Sequence, residues 1–436
     1  MTLVHKISKH LDWVFILIYL ILSIVFFKER TLFIDNAYQI FLFIQEGEVI
    51  LNANRWPAII VQLLPLLGVK MGASLSSILL LFSVSYALFH FIVFLLIRVL
   101  NKDRSNAVLL VCLLTIPVAH SFYWCNSELI SGLSIMVLWL SFYEKKSWIW
   151  AGLLAIILPW FHPLLFVCFL FCTTYLFVIK KDKKIIPHAV LFGGSMLTKK
   201  FFFPSWFDTN ANQAFKVKLD KFEMSDLSDS LAFLNGDNLP IILCLVLTVA
   251  MAFYKKEIWA ASLLVSFALL YLFIIGVATT NYSLQFYIEV RFLCLFFVCL
   301  FTLKQISSNT INGAFQNGAF LVLVALALVR IACTSHVYSE RQEKIVALTN
   351  KNECQRILYT PKEYGWLKEY WAVPYESLIL SSLDSDSKAI LFESNLEALT
   401  SSKQEAYFLT HFLNYKTEAL NKHYFNLACD TYEITK

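Results

Sequence analysis

Apolar runs follow one another along most of the chain, and short polar or basic breaks separate them. A helix that crosses a bilayer needs roughly 20 mostly apolar residues, so this pattern predicts about eleven transmembrane helices. The predicted spans are residues 11–27, 75–99, 106–119, 128–143, 148–161, 163–179, 185–198, 239–254, 258–276, 288–303 and 318–333.

The breaks between the spans indicate how the chain is oriented. His5, Lys6 and Lys9 precede the first span, and no small-residue cleavage site follows it, so we expect an uncleaved signal anchor. Cytoplasmic loops carry an excess of Lys and Arg. With a cytoplasmic N-terminus, that excess falls on alternate loops at Arg98, Lys102, Arg104, Lys145, Lys146, Lys180, Lys181, Lys183, Lys184, Lys255, Lys256 and Lys304.

The chain changes character after the last span. Charged stretches with a helical pattern follow, and then "KAILFES", which resembles a β-strand, comes after the turn-forming "DSDS". We therefore expect an all-α polytopic transmembrane domain over residues 1–333, with outer loops at 28–74 and 199–238. Residues 334–436 are expected to form a small extracytoplasmic α/β domain, because an odd number of spans places them opposite the N-terminus.

Composition supports a membrane protein and excludes some partners. The chain is 58% hydrophobic and 15% charged, with a mean hydropathy of +0.64, whereas soluble domains are about 25% charged. The net charge of +5 is spread over short loops, which argues against nucleic-acid binding.

Most of the ten cysteines lie in apolar runs. Cys354 and Cys429 lie outside these runs and can form a disulfide if their region is extracytoplasmic.

A carboxylate stands close to the membrane in the first outer loop, in "KERTLFIDNAYQIFLFIQEGEVILNANRWPAII". Asp35 opens a stretch whose apolar positions have helical spacing, which predicts an amphipathic helix in the membrane interface. Those positions are Ala37, Ile40, Phe41 and Ile44. Asp35 can act there as a general base on a hydroxyl, or it can cap the helix together with Asn36.

This layout resembles the GT-C superfamily of integral-membrane glycosyltransferases. Many members carry an Asp in the first extracytoplasmic loop before a membrane-parallel helix, and many end in an extracytoplasmic domain. "FIDNAYQIFLFIQEG" is similar to the family's Asp-acidic-x-aromatic pattern. The resemblance implies that Asp35 is the catalytic base and that Tyr38 takes the aromatic position. Asn36 stands where many relatives have a second acid, which weakens a metal-dependent mechanism. We expect no cofactor, and a divalent metal is not favoured.

Further polar residues fall at predicted outer ends of helices, where ionisable groups are costly and tend to be functional or paired. Glu128 either starts a helix as a favourable first-turn acid or lies beside Asp35 and orients the acceptor. His162 is either a satisfied turn histidine or part of the site. Arg55 can reach a phosphate, although a lone Arg near headgroups is unremarkable. His120 and Asn126 lie in the same region.

Arg291, in "EVRFLCLFF", has the strongest claim to bind a phosphate. An Arg at headgroup depth suits the phosphate of a polyprenyl-phosphate donor because its planar fork matches phosphate oxygens. The stretch also resembles the Arg-aromatic-Leu stretch that many GT-C transferases carry near their final spans. The competing interpretation is a local pair with Glu289 or snorkelling toward the interface.

The favoured function is an inverting transferase at the outer face of a plasma (inner) membrane. Its partners would be membrane lipid, a polyprenyl-phosphate-linked sugar donor and a glycan or glycolipid acceptor. The chain has no G-x-G-x-x-G and no Walker loop, which agrees with a lipid-borne donor. The alternatives are a multi-pass transporter, a lipid-linked glycan flippase or polymerase, and a non-catalytic membrane scaffold.

Overall fold

The computed structural model describes most of the chain. The described residues are 10–51, 53–221, 223, 238–278, 285–307, 313–351, 355–358, 370–383, 391–393, 407–409, 414–425 and 433–435. The candidate disulfide between Cys354 and Cys429 lies outside them.

Helices make up nearly all of the described structure. They are α1 (Leu11–Val25), α2 (Phe27–Thr31), α3 (Ile34–Glu46), α4 (Ile59–Lys70), α5 (Leu75–Leu95), α6 (Arg104–Thr115), α7 (Glu128–Glu144), α8 (Trp148–Ile157), α9 (Leu165–Thr174), α10 (Ile185–Phe202), α11 (Trp206–Asp220), α12 (Leu239–Tyr254), α13 (Ile258–Ala278), α14 (Gln285–Ser307), α15 (Gly313–Lys351) and α16 (Val373–Leu383). Single π-helical stretches extend α5 over Leu96–Leu100 and α9 over Tyr175–Ile179.

Every predicted span overlaps one of these helices. By length and composition, four described stretches can cross a membrane: Leu75–Leu100, Ile258–Val277, Phe286–Ser307 and Val322–Ala347. Six shorter apolar helices accompany them in the described chain. The chain is therefore helical and has the character of a membrane protein, and the number of eleven spans stays a prediction.

The helices differ in how much of their surface the protein covers. α7 is buried on all sides from Leu129 to Tyr143, so it lies at the centre of the bundle. α12 instead exposes an apolar face that includes Leu243, Val246 and Leu247. An apolar outer face of this kind is what a helix presents to lipid.

The C-terminal segment (residues 334–436) contains the described strands. Strand β1 (Gln355–Leu358) pairs in parallel with β2 (Leu391–Glu393) and with β5 (Glu433–Thr435). β3 (Tyr407–Leu409) pairs antiparallel with β4 (Asn414–Lys416). The strand expected in "KAILFES" is present as β2.

The first outer loop is more compact than its sequence suggests. α3 was expected to be a surface helix, but it is buried along almost its whole length. Phe43 packs against Phe82 of α5, and Phe41 packs against Tyr375 and Phe408 of the C-terminal segment. Protein therefore covers the apolar stripe, and the position of α3 in the membrane interface stays a prediction.

Candidate active site

The backbone just before Asp35 has an unusual conformation. Phe33 is extended, and Ile34 then adopts φ 43° before the chain continues as α3. A positive φ at a β-branched residue is a genuine outlier and costs about 1–3 kcal/mol. Such strain persists only where the surrounding structure fixes it, and it is concentrated at functional sites.

Asp35 does not cap α3. The N-cap position belongs to Phe33, and no side chain accepts a capping hydrogen bond there. Asp35 lies in the first turn, and its Oδ2 accepts a hydrogen bond from the Tyr287 hydroxyl at 2.8 Å. The capping alternative is therefore not supported, and Asp35 is oriented by a side chain from α14.

Asn36 ties the same turn to the bundle. Its Nδ2 donates to the carbonyl oxygens of Arg30 and Tyr123. Arg30 is itself fully buried, and its Nε donates to the carbonyl of Phe122 at 3.0 Å. Asn36 thus has a structural role. It occupies the position at which a metal-dependent mechanism would need a second carboxylate.

The two tyrosines that interact with Asp35 each pack against other aromatic rings. The Tyr38 ring lies 5.0 Å from the Tyr375 ring and 6.1 Å from the Trp371 ring, centroid to centroid. The Tyr287 ring lies 5.1 Å from the Trp124 ring. Burial, reinforced by the nearby Asp35 carboxylate, raises the pKa of Tyr38 above its ordinary value, so its hydroxyl stays protonated at neutral pH. Rings with polar edges of this kind suit contacts with sugar faces.

A second group of polar residues comes from five separate parts of the chain. Arg55 forms ion pairs with Glu128 at 3.1 Å and with Asp208 at 3.6 Å. Its guanidinium also lies 5.7 Å from the centre of the Phe207 ring. Lys199 is in electrostatic range of Arg55, Glu128 and Asp208. We call Arg55, Lys199, Arg291, His162, Glu128 and Asp208 the charged cluster.

His162 joins this cluster as a neutral imidazole. Burial and the cations Arg55, Lys199 and Arg291 hold its pKa well below the ordinary value. Its Nδ1 accepts a hydrogen bond from the backbone N–H of Leu164 at 3.2 Å. The single ring proton therefore resides on Nε2, which leaves an N–H donor for another group.

Helix α14 connects the two groups. Tyr287 and Arg291 are four residues apart, so they occupy the same face of the helix, separated by one turn. Tyr287 binds Asp35 at one position, and Arg291 lies among the electrostatic neighbours of His162 at the other. The residue that binds Asp35 and a cation near His162 consequently lie about one helical turn apart along α14.

The sequence-predicted residues fall into these two groups. Asp35 and Tyr38 lie together, whereas Glu128 pairs with Arg55 and not with Asp35. Glu289, the alternative partner of Arg291, contacts other parts of the chain. Glu289 accepts the N–H groups of Ala119 and Ser121 at 3.1 and 2.6 Å and lies 3.7 Å from Arg330.

Three contacts of the site were not expected from the sequence. They are the hydrogen bond from Tyr287 to Asp35, the hydrogen bond from the Ile34 N–H to Glu376, and the ion pair of Asp208 with Arg55. Tyr287 precedes Arg291 by one helical turn, and this spacing is a signal that could have found it. His120 contacts the Tyr338 hydroxyl at 3.3 Å instead of joining the charged cluster. Among the described residues, no three His, Cys, Asp or Glu side chains gather as ligands for a metal ion.

No family model, curated protein or solved structure matches this chain. The site offers a carboxylate that can accept a proton, aromatic rings near it, and a charged cluster whose cations can hold an anion.

Proposed function

We propose that the protein is an inverting glycosyltransferase that moves a sugar from a polyprenyl-phosphate donor to a hydroxyl group of a lipid-linked or cell-surface glycan. The single observation that carries this proposal is the arrangement along α14. Tyr287 orients Asp35, and Arg291 lies one turn further along the same face, in electrostatic range of His162.

Asp35 would act as the general base. Its carboxylate takes the proton from the acceptor hydroxyl as that oxygen attacks the anomeric carbon of the donor sugar. The bond between the anomeric carbon and the phosphate oxygen breaks on the opposite face of the sugar, so the configuration inverts. The bonding electrons leave with the polyprenyl phosphate.

The charged cluster would receive the negative charge that develops on the phosphate. Arg291, Arg55 and Lys199 are cations, and the Nε2–H of His162 is a neutral donor beside them. Electrostatic stabilisation of a leaving group in a water-poor site is usually the largest catalytic contribution. Glu128 and Asp208 hold Arg55 in place, which fixes the position of its guanidinium before substrate arrives.

The site would lie at the outer membrane surface, on the same side as the C-terminal segment. This placement rests on the distribution of Lys and Arg among the loops and on the packing of the C-terminal segment against α3. A lipid-borne donor suits such a position, since its hydrocarbon chain stays in the bilayer while its phosphate reaches the cations.

The test separates transfer from transport. A strain that lacks the protein should accumulate the unused lipid-linked sugar, and its lipid extract then supplies the donor. The purified full-length chain in detergent, mixed with this extract and with acceptor glycolipid, should release polyprenyl phosphate, as detected by mass spectrometry. A detergent micelle does not separate two compartments, so a transporter or flippase would leave the donor chemically intact. An intact donor would overturn the proposal.

A further inference from the structure

The strained turn at Ile34 receives support from a distant part of the chain. The backbone N–H of Ile34 donates to Oε1 of Glu376 at 2.8 Å, and 342 positions separate the two residues. Ile34 is the first residue of α3, so this N–H has no partner within its own helix. A carboxylate from the C-terminal segment supplies that partner.

Glu376 is itself fixed by Arg341 of α15, the long helix that leads into the strands of the C-terminal segment. Arg341 donates from Nε to Oε2 at 2.9 Å and from one terminal nitrogen to Oε1 at 3.2 Å. Glu376 is completely buried, and the Arg341 side chain is 11% exposed. The Arg341 guanidinium also lies 5.5 Å from the centre of the Phe33 ring, the residue before Ile34. The pair thus contacts both residues of the turn that precede Asp35.

This contact differs from the hydrogen bonds that join the C-terminal segment to the other end of α3. The Tyr415 hydroxyl donates to Glu46 at 3.0 Å, and Asn421 contacts Gln45 and Ile44, all at the far end of the helix. Those contacts fasten the helix to the segment but do not touch the turn. The Glu376 carboxylate alone among these contacts reaches the residue adjacent to Asp35.

We propose that Glu376, held by Arg341, is a positioning residue for Asp35. By accepting the Ile34 N–H, it keeps the turn in its left-handed conformation and so directs the Asp35 carboxylate toward Tyr287 and the acceptor. The positioning role in catalysis rests on the proposed function, whereas the hydrogen bond and its effect on the turn do not. The C-terminal segment therefore contributes, through Glu376, to the geometry of the site.

Two double variants separate the hydrogen bond from the ion pair. Glu376→Gln with Arg341→Met removes both buried charges and keeps an oxygen that can accept the Ile34 N–H. Glu376→Leu with Arg341→Met removes the charges and the acceptor together. Replacing a buried ion pair by apolar groups of similar volume is often tolerated, whereas removing one partner leaves an uncompensated charge. Both variants are therefore expected to fold, and Tyr415→Phe serves as the control at the far end of α3.

The first measurement is amide hydrogen exchange at residues 33–36 in the full-length chain. The Leu variant should lose protection there by about tenfold or more, because the buried Ile34 N–H is left without its acceptor. The Gln variant and Tyr415→Phe should stay close to the wild type at these residues. Equal protection in the Leu and Gln variants would overturn the proposed hydrogen bond, whatever the protein's activity.

The second measurement is turnover of the accumulated lipid donor in detergent. A displacement of about 1 Å at a reacting group can cost about 100-fold in rate, so the Leu variant should lose kcat on that scale while KM changes little. The Gln variant should retain most of its kcat. A rise in KM without a fall in kcat would instead indicate weakened substrate binding and would overturn the positioning role. If Asp35→Asn proves active, the proposed base fails, and the exchange measurement still decides the role of Glu376 in the turn.

Discussion

The hydroxyl of Tyr287 donates a hydrogen bond to Oδ2 of Asp35 at 2.8 Å, although 252 positions separate the two residues. Asp35 lies in the first turn of α3, and Tyr287 lies in the first turn of α14. The contact therefore joins the first outer loop to one of the four long apolar helices. It fixes the direction of one oxygen of the Asp35 carboxylate.

Tyr287→Phe removes this hydrogen bond and keeps the ring that packs against Trp124. We expect kcat to fall about tenfold, because one hydrogen bond that orients the base contributes about 1–1.5 kcal/mol. KM should change little, since the phenol is not assigned to donor binding. Steady-state turnover of the lipid donor in detergent measures both constants. A variant as active as the wild type would show that the contact has no part in catalysis.

Arg55→Gln removes a cation from the charged cluster and leaves Glu128 and Asp208 without their shared partner. We expect KM for the lipid donor to rise about 10- to 100-fold, since a charge-assisted hydrogen bond to phosphate contributes about 1.5–3 kcal/mol.

The matched control for Arg55 is Arg98→Gln, which disturbs the 2.7 Å ion pair with Asp12 at the opposite, predicted cytoplasmic end of the bundle. It should lower the melting temperature and leave KM unchanged. Equal effects of the two substitutions on KM would remove Arg55 from the donor site.

The stability of the chain should respond to the titration of His162. Burial and the neighbouring cations hold the folded pKa of His162 well below 6.5, its ordinary value and the value expected in the unfolded chain. Between those two pKa values the unfolded chain binds a proton that the folded chain does not bind. The free energy of unfolding therefore rises with pH in this window, by up to about 1.4 kcal/mol per pH unit. The contribution is complete above pH 6.5 and is lost as the pH falls toward the folded pKa.

His162→Asn tests that dependence, because the amide oxygen can still accept the Leu164 N–H. The melting temperatures of both proteins are measured in detergent from about pH 5 to about pH 8. The difference between the two proteins at each pH gives the contribution of His162, because the other histidines are common to both. The wild type should lose more stability than the variant as the pH falls. Parallel curves would contradict the neutral, buried assignment.

Gly132 of α7 packs against the turn that carries His162. A Cβ at this position would lie 2.9 Å from the Cβ of Phe161 and closer still to Leu165. Gly132→Ala should therefore destabilise the protein by about 1–3 kcal/mol through overpacking. Gly193→Ala in α10 is the control. No heavy atom of the described residues lies within 4 Å of its added Cβ, so alanine should stabilise that helix by up to about 1 kcal/mol. In thermal unfolding, the melting temperature should fall for Gly132→Ala and rise for Gly193→Ala.

The sequence predicted the parts of the molecule that depend on local pattern. Apolar run length located the helices, and the turn chemistry before "KAILFES" located strand β2. Asp35 was singled out by its position after the first span. These features follow from hydrophobicity and spacing, which can be evaluated without knowing which segments meet.

The features of the fold and the site that the sequence did not predict depend on contacts between distant segments. Nothing near Glu376 in the sequence indicates that it accepts the Ile34 N–H, since that contact exists only after the C-terminal segment packs on α3. For the same reason, the sequence pattern does not show that protein covers α3. Its amphipathic stripe is real, but Phe408 and Tyr375 cover it where lipid was expected. A periodic pattern reports that a face is buried and does not report what buries it.

The most direct test of the account compares Asp35→Asn with Asp220→Asn in the detergent assay with accumulated lipid donor. Asparagine keeps the size of Asp35 and an oxygen that can accept from Tyr287, but it cannot take a proton from the acceptor. Asp220 is an exposed residue at the end of α11 and receives the same substitution. We predict that Asp35→Asn folds normally and loses about 100-fold to 10,000-fold in kcat, while Asp220→Asn matches the wild type. An Asp35→Asn protein that releases polyprenyl phosphate at the wild-type rate would contradict the assignment of Asp35 as the base.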